Sequence, residues 1–441
     1  MKRLLALLLC AVLALFCATT AQAAGVSITL TASEYALHYA FDAGAQDPFV
    51  ILEYTTPAEK GWMMLYSADG HFEGDVSLAY SGAGGKTSVA LTSARTTGSI
   101  GKASTTLPKA ADYQKPTGKS NVKVMDFVLT ETPEGFHYAF NAAGTDYMLL
   151  YWRSKEQTVT QPVYPDENGH YEGDVISNLT FARTQFTVQV KSGAGSMKKE
   201  ATVRKGYQAP EAPQRQEGRL SGVTVCIDAG HQENGRFVNE PIGPGLSGST
   251  SGKGGMAQGT KTNRRESIVC LEIGMLLRDE LLRQGANVVM TREDQTTFHT
   301  NIERCEIAEA GGAQIMLRLH CNNSSNRSKR GIQVYGPLNS DYAKAVADAD
   351  TYREMGQKLL DAMKTRVGMT LANSTGMVRL NDNYVGNNWA KMMCFLVEMG
   401  YLSNPAEEYL LVTPVYQQWL AEGMADGVYE IAVARGWVQA Q

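Results

Sequence analysis

The spacing of apolar and polar residues divides the chain into two halves of different character. Up to about residue 205, apolar residues occur in short alternating or aromatic-rich runs, as at 49–54 and 147–152, with turn residues between them. Such runs are typical of β-strands, and the dipeptides Asp69-Gly70 and Asn168-Gly169 favour tight hairpins. The first half is therefore predicted to be all-β and antiparallel.

A sequence repeat lies within this β-rich half. The residues HYAF at 38–41 recur at 137–140, and GHFEGDV at 70–76 recurs as GHYEGDV at 169–175. Both matches have the same offset of 99 residues. Two separated motifs with one offset indicate a duplicated module.

The repeat sets the expected domain boundaries. We expect two tandem sandwich-like β modules, at 26–100 and at 121–205, with the second a copy of the first. Stretches rich in polar residues, glycine or proline predict linkers at 101–120 and 206–220.

From residue 221 the pattern changes to alternating strand and helix signals. This alternation predicts an α/β domain over 221–438, with a mostly parallel twisted sheet flanked by helices. The helix predicted at 266–284 illustrates the helical pattern. Its apolar residues recur at helical spacing and so share one face, as Val269, Ile273, Leu277 and Leu281 do. The predicted strands are 223–227, 288–291, 315–320, 331–335 and 394–397, and the predicted helices are 266–284, 301–310, 341–367 and 414–435.

The N-terminus has the pattern of a secretory signal peptide, which we assign to residues 1–23. Lys2 and Arg3 precede an apolar run, and Ala21-Gln22-Ala23 offers the small residues that a signal peptidase requires. An uncleaved anchor is the alternative, but the run is short for a hydrocarbon core of about 30 Å and no basic flank follows it. We expect an exported protein, extracellular, in the cell wall or periplasmic, with no stable membrane insertion after cleavage.

Composition and charge narrow the class of protein. Hydrophobic residues make up 43% and charged residues 20%, as in ordinary folded proteins, which excludes wholesale disorder. The 41 basic and 45 acidic residues give a net charge of −4. This charge provides no general electrostatic attraction to nucleic acid, and we predict no nucleic-acid partner.

Five cysteines lie outside the predicted signal peptide. They are Cys226, Cys270, Cys305, Cys321 and Cys394. An odd number cannot pair completely, and none has C-x-x-C spacing. Buried free thiols are the favoured interpretation, with disulfides left open.

Four residues at predicted element ends carry candidate chemistry. His231 follows the first strand of the α/β half, Glu266 begins its first helix, and His320 ends an apolar strand. Two imidazoles and one carboxylate are a common ligand set for catalytic zinc. Glu398 ends another apolar strand and offers a general base. Taken singly, each residue also has a structural explanation, since histidines often end strands and the helix dipole favours glutamate in a first turn.

Five ordered segments decide between these interpretations. They are IDAGH at 227–231, ERCEIA at 303–308, LHCN at 319–322, GIQVY at 331–335 and VEMGYLSNP at 397–405. With these segments, residues 221–435 resemble the zinc-dependent N-acetylmuramoyl-L-alanine amidases of the type 3 family.

The resemblance implies that His231, Glu266 and His320 bind one Zn²⁺ ion and that Glu398 is the catalytic acid/base. Glu272 is the nearby competitor of Glu266, but it lies six residues into the helix. Candidate substrate-rim residues are Asn322, Arg304 and Asn404. Cys321 departs from the family, which usually has alanine there, and its side chain is expected on the strand face opposite His320.

The implied reaction is hydrolysis of the amide between N-acetylmuramic acid and the L-alanine of the peptidoglycan stem peptide. A zinc peptidase that cuts within the stem peptide, and a non-catalytic wall-binding protein, are the alternatives. The β modules are candidates for binding the cell wall or a protein partner. The glycine-rich segment 232–265 is either a surface insertion or a lid over the substrate groove.

Overall fold

The computed structural model contains two β modules followed by an α/β domain. It describes residues 19–22, 26–33, 36–57, 60–78, 84–96, 98–109, 122–132, 135–144, 148–153, 158–176, 184–192, 197–205, 210–232, 238–250, 255–262, 264–367 and 377–440. Apart from strand β1, the predicted signal peptide lies outside the described residues. Within them, no helix is both long enough and apolar enough to cross a bilayer.

The first module consists of two four-stranded antiparallel sheets, ordered β1-β2-β3-β6 and β5-β4-β7-β8. Alternate residues such as Leu37 and Phe41 of one sheet and Leu52 and Leu91 of the other share one buried core. The strands are β1 (Thr19–Gln22), β2 (Ser27–Ala32), β3 (Ala36–Asp42), β4 (Phe49–Thr55), β5 (Lys60–Tyr66), β6 (His71–Ser77), β7 (Gly85–Ser93) and β8 (Ser99–Leu107).

Strand β8 corrects the first predicted linker. Residues 101–107 were assigned to the linker 101–120, yet they pair with β7 and alternate between buried and exposed positions. The inward positions include Ala103 and Thr105, which are small or polar. The hydrophobic pattern of this strand was therefore too weak to reveal it in the sequence.

Within the described residues, the second module repeats the first with one strand fewer. Its sheets are ordered β13-β10-β9 and β12-β11-β14-β15. The repeat extends to the strand register, since His38 lies opposite Asp75 and His137 lies opposite Asp174. The strands are β9 (Val124–Thr132), β10 (Gly135–Ala142), β11 (Met148–Arg153), β12 (Thr158–Val163), β13 (His170–Ile176), β14 (Thr184–Ser192) and β15 (Met197–Lys205).

The α/β domain is built on a six-stranded sheet with the order β17-β16-β18-β21-β19-β20. Its pairs are parallel except β19 with β21, which is antiparallel. The mostly parallel sheet expected from the sequence is therefore present. The strands are β16 (Thr224–Ala229), β17 (Asn287–Met290), β18 (Ile315–Asn322), β19 (Gln333–Gly336), β20 (Met377–Leu380) and β21 (Met393–Tyr401).

Seven helices accompany this sheet within the described residues. They are α1 (Glu266–Arg283), α2 (Asn301–Ala310), α3 (Asp341–Val346), α4 (Ala349–Val367), α5 (Val385–Trp389), α6 (Pro405–Leu411) and α7 (Pro414–Ala434). Helices α1, α4 and α7 bury their apolar residues in one core with the sheet, and α2 and α5 cover a second, smaller core.

The predicted helix 341–367 is two helices, which corrects that expectation. Ala347 has an extended backbone with φ −165° and ends α3. The Asp348 carboxylate then accepts a hydrogen bond from the backbone N–H of Thr351 at 2.8 Å, as an N-cap does. The apolar spacing continues across the break, so the spacing alone predicted one helix.

Module 1 packs directly against the α/β domain. The outer face of its β4 and β5 strands meets α6 and α7 through Phe49 with Trp419, with ring centroids 5.2 Å apart, and through Trp62 with Tyr409, at 4.0 Å. The guanidinium of Arg330 donates to the carbonyl of Ala94 at 3.1 Å. Phe49 is only 1% exposed, so the contact belongs to the buried interior.

The second predicted linker, 206–220, also contacts the α/β domain. Residues 210–220 form no helix or strand, yet Leu220 is fully buried and the guanidinium of Arg215 donates to the carbonyl of Gly285 at 2.9 Å. This segment therefore lies against the end of α1 rather than spanning open solvent.

Candidate active site

The carboxyl ends of three adjacent strands bring the candidate residues together. His231 lies two residues beyond β16, His320 lies near the end of β18, and Glu398 lies beside it on β21 in direct register. Glu266 is the first residue of α1. The loops beyond the carboxyl ends of parallel strands are where α/β sheets build their sites.

His231, Glu266 and His320 form one cluster. The Nε2 atom of His231 lies 3.1 Å from Oε2 of Glu266, and Nδ1 of His320 lies 3.0 Å from Oε1. All three donor atoms lie within 4.8 Å of one another. The competitor Glu272 points elsewhere, to the guanidinium of Arg264 and the amide of Gln417.

The surrounding backbone holds the Glu266 carboxylate in place. The N–H of Ala257 donates to Oε2 at 2.8 Å, and the N–H of Cys321 donates to Oε1 at 3.0 Å. Burial alone would raise the pKa of Glu266, but hydrogen bonds and Coulomb attraction from both histidines lower it below its usual range. Burial lowers the pKa of His320. Carboxylates and imidazoles bind a metal ion in their deprotonated forms, so metal binding at this cluster is expected to release protons.

Glu398 faces the same cavity as the cluster but is not part of it. Its Oε2 atom is buried and has no hydrogen-bond partner within the described residues. Burial, followed by repulsion from the charge of Glu266, raises its pKa well above the usual value. A buried carboxyl group with a raised pKa beside a ligand cluster has the character of a general acid/base.

The cavity has a volume of about 1020 Å³ and is open to solvent. Besides the four residues above, its lining includes Val238, Phe298, Asn322, Asn383 and Tyr384. With the exception of Asn322, these lining residues lie on loops, and no spacing in the sequence marked them.

The three candidate rim residues have different places. Asn322 lines the cavity. Arg304 also touches it, but its buried guanidinium is bound to the carboxylate of Asp228 and to the carbonyl of Ala229. Asn404 is absent from the described lining and instead caps α6, where its side chain accepts hydrogen bonds from the N–H groups of Ala406 and Glu407. An Asn immediately before a helix that begins with Pro is the sequence sign of such a cap.

Two buried glutamates anchor the described parts of the glycine-rich segment. Glu240 accepts hydrogen bonds from the N–H groups of Asn301 and Ile302 at the start of α2. Glu408 of α6 accepts from the N–H of Lys261 at 3.0 Å. The described parts of the segment thus line one side of the cavity and are hydrogen-bonded to the domain through both glutamates.

The five cysteines outside the predicted signal peptide are free and buried. Cys321 and Leu319 belong to the core that α1 shares, but Cys321 borders the cavity together with His320, so the expected opposite facing of these two side chains stays a prediction. The thiol of Cys321 interacts with that of Cys270, and burial raises the pKa of both. Such thiols are unreactive.

Part of this chain is similar to several known proteins. The germination-specific N-acetylmuramoyl-L-alanine amidase of Bacillus subtilis is 26% identical over 231 residues, which cover 49% of this chain and 83% of that protein. A probable cell wall amidase, LytH of Staphylococcus aureus, is 27% identical over 218 residues, and the chain spans 60% of its length. The apo structure of Ami1, an N-acetylmuramyl-L-alanine amidase from Mycobacterium abscessus, is 21% identical with a TM-score of 0.44, and the match covers 48% of this chain and 99% of that one.

Residues 225–430 match the family model described as N-acetylmuramoyl-L-alanine amidase. The resemblance found in the sequence is confirmed, and this part of the chain is an amidase domain of the type 3 N-acetylmuramoyl-L-alanine amidase family.

Proposed function

We propose that this protein hydrolyses the amide bond between the lactyl group of N-acetylmuramic acid and the L-alanine of the stem peptide. His231, Glu266 and His320 hold a Zn²⁺ ion, and Glu398 transfers the proton. The observation that carries the proposal is the unpartnered, buried Oε2 of Glu398, which shares a cavity with the His-Glu-His cluster in an amidase-family domain.

The three residues fit a catalytic zinc ion. Two imidazole nitrogens and one carboxylate oxygen leave a position free for water or substrate, as catalytic zinc sites do. When bound, zinc supplies Lewis-acid polarisation of the scissile carbonyl and lowers the pKa of water. The N–H groups of Ala257 and Cys321 fix the orientation of the Glu266 carboxylate, so the site is organised before substrate arrives.

Glu398 carries the proton through the reaction. Its carboxylate accepts a proton from the attacking water and delivers it to the amine nitrogen of L-alanine as the amide bond breaks. The raised pKa suits both roles, because the group must take the proton in one step and release it in the next. The cavity of about 1020 Å³ has room for the lactyl group and the first residues of a stem peptide.

The place of action follows from the substrate. Peptidoglycan lies outside the cytoplasmic membrane, and the predicted signal peptide at 1–23 would deliver the protein to the cell wall, the periplasm or the exterior. The two β modules are proposed to bind the wall or a protein partner.

The test is digestion of purified peptidoglycan with the zinc-loaded full-length protein, followed by mass spectrometry of the soluble products. We expect stem peptides with a free N-terminal L-alanine and glycan strands with unsubstituted lactyl groups. The variant Glu398→Gln should bind zinc as the wild type does and release almost no product. Cuts within the peptide would make the protein a peptidase, and binding without products would make it a wall-binding protein.

A further inference from the structure

Arg292 lies behind the ligand cluster, on the loop that follows β17, and is only 2% exposed. It was not among the residues that the sequence singled out. We propose that Arg292 is a positioning residue that fixes the separation of His231 and Glu266, and thereby sets the affinity of the site for zinc. This inference rests on the proposed function, because it takes those two residues as metal ligands.

The guanidinium of Arg292 bridges the two chain segments that carry the ligands. Its Nε donates to the carbonyl of Ala229 at 2.8 Å and its Nη2 to the carbonyl of Gly230 at 2.8 Å. The same Nη2 donates to the carbonyl of Ser267 at 2.7 Å. Gly230 immediately precedes His231, and Ser267 immediately follows Glu266, so one side chain ties the backbone next to both ligands.

The turn at His231 needs such support. Its φ is 58°, in the left-handed region that residues with a side chain rarely adopt. The residue before His231 has no space for a side chain, because a Cβ atom on Gly230 would lie 2.6 Å from Cε1 of His320. Arg304 also stabilises this turn, because its Nη2 atom donates to the carbonyl of His231 at 3.3 Å. The strained turn is therefore held from behind by two guanidinium groups.

The hydrogen-bond acceptors of Arg292 differ from those of the two neighbouring buried arginines. The fourth hydrogen bond of Arg292 goes to the carbonyl of Asp294, so all four of its acceptors are neutral carbonyl oxygens. Arg304 and Arg318, by contrast, are paired with the carboxylate of Asp228. Burying a cation against neutral groups is unfavourable, and burial lowers the pKa of Arg292 to about 9. The rigid, planar guanidinium holds carbonyls on two separate segments in a fixed geometry, whereas the ammonium of lysine is a flexible point charge that does not fix this geometry.

Gln295 supports the Glu266 side of the same arrangement. Its Nε2 donates to the carbonyl of Ser267 at 2.8 Å, the oxygen that Arg292 also binds. The carbonyl of Ser267 at the start of α1 thus accepts from two donors. Of these two, only Arg292 also binds the carbonyls next to His231, so only Arg292 bridges the two segments.

The test compares Arg292→Lys with the matched control Arg278→Lys. Arg278 is also buried, on α1, and also donates to backbone carbonyls, those of Pro210 and Glu211, which lie away from the cavity; unlike Arg292, it also pairs with a carboxylate, that of Asp279 at 2.8 Å. Zinc affinity is measured by competition with a chromophoric chelator, and the cobalt-substituted proteins are compared by visible absorption. We expect zinc to bind Arg292→Lys about 10- to 100-fold more weakly, with an altered cobalt spectrum. Arg278→Lys should match the wild type in both.

The outcomes separate the two proposals. Zinc binding by the wild type is measured first, and a wild-type protein that binds no zinc would refute the metal centre itself. If the wild type binds zinc and Arg292→Lys matches Arg278→Lys in affinity and spectrum, the positioning role is wrong. Should Arg292→Lys fail to fold, Arg292→Gln, which keeps a shorter planar donor at the same position, takes its place, and zinc affinity equal to that of Arg278→Gln would overturn the inference.

Discussion

Replacing Phe49 by alanine removes the ring through which module 1 meets the α/β domain. Phe49 is 1% exposed and lies between Tyr66 of its own module and Tyr416 and Trp419 of α7, with ring centroids 5.1, 5.9 and 5.2 Å away. Two of these three aromatic contacts cross the interface. The variant therefore tests whether the two domains are docked in solution.

The expected loss follows from the burial of the ring. Truncating a buried phenylalanine to alanine costs about 3 to 5 kcal/mol. Part of this cost belongs to the contact with Tyr66 inside the module, so we assign about 3 kcal/mol to the docked state. Because each 1.4 kcal/mol is a factor of about ten, opening of the interface should become about 100-fold more frequent.

Hydrogen exchange with mass spectrometry measures this opening peptide by peptide. Exchange in α6 and α7 should accelerate in Phe49→Ala, because these helices lose their cover. The control is Phe72→Ala, which removes a ring that is buried inside module 1, stacked on Phe41 at 4.9 Å. It should accelerate exchange in β3 and β6 and leave α6 and α7 protected. Unchanged exchange of α6 and α7 in Phe49→Ala would refute the docking.

Three further variants probe the site and its support. His320→Ala should lose stoichiometric zinc, measured by elemental analysis after dialysis, while retaining its circular dichroism spectrum. Asp228→Asn leaves the buried guanidinium groups of Arg304 and Arg318 without their shared carboxylate, and urea denaturation should show a loss of about 3 to 5 kcal/mol. Burial raises the pKa of Glu407 to about 7 from 4.5, so the folded protein retains a proton there that the unfolded chain releases. The free energy of unfolding should therefore fall as the pH rises from about 4.5 to about 7 and level off above, and in Glu407→Gln this part of the slope should be absent from urea titrations.

The candidate site could be assembled from the sequence because each member lies at the predicted start or end of an element. Apolar runs before His320 and Glu398 predicted two buried strands, and parallel strands end at one edge of a sheet. The register that places His320 directly beside Glu398 depends on strand order, which no local pattern contains. Family resemblance supplied that step.

The roles of two buried arginines and the docking of module 1 were not predicted from the sequence. Arg304 and Arg292 carry long polar side chains, and a sequence does not say whether such a side chain points to a substrate or to a buried carbonyl. The docking of module 1, by contrast, is indicated by a hydrophobic pattern in the sequence that the prediction did not take into account. Phe49, Val50, Ile51 and Leu52 are all buried, and an unbroken apolar run is typical of a strand covered on both faces.

The docking of module 1 also has a consequence for the order in which the protein folds. Ala94 and Arg330, which join the two domains by a hydrogen bond, are separated by 236 positions in the chain. The aromatic face around Phe49 and Trp62 is synthesised long before α6 and α7 exist to cover it. Until the C-terminal helices are synthesised, module 1 exposes an aromatic surface to solvent. Folding intermediates with exposed hydrophobic surface are prone to aggregate or need a chaperone. A chain that ends before α7 would keep this surface permanently uncovered.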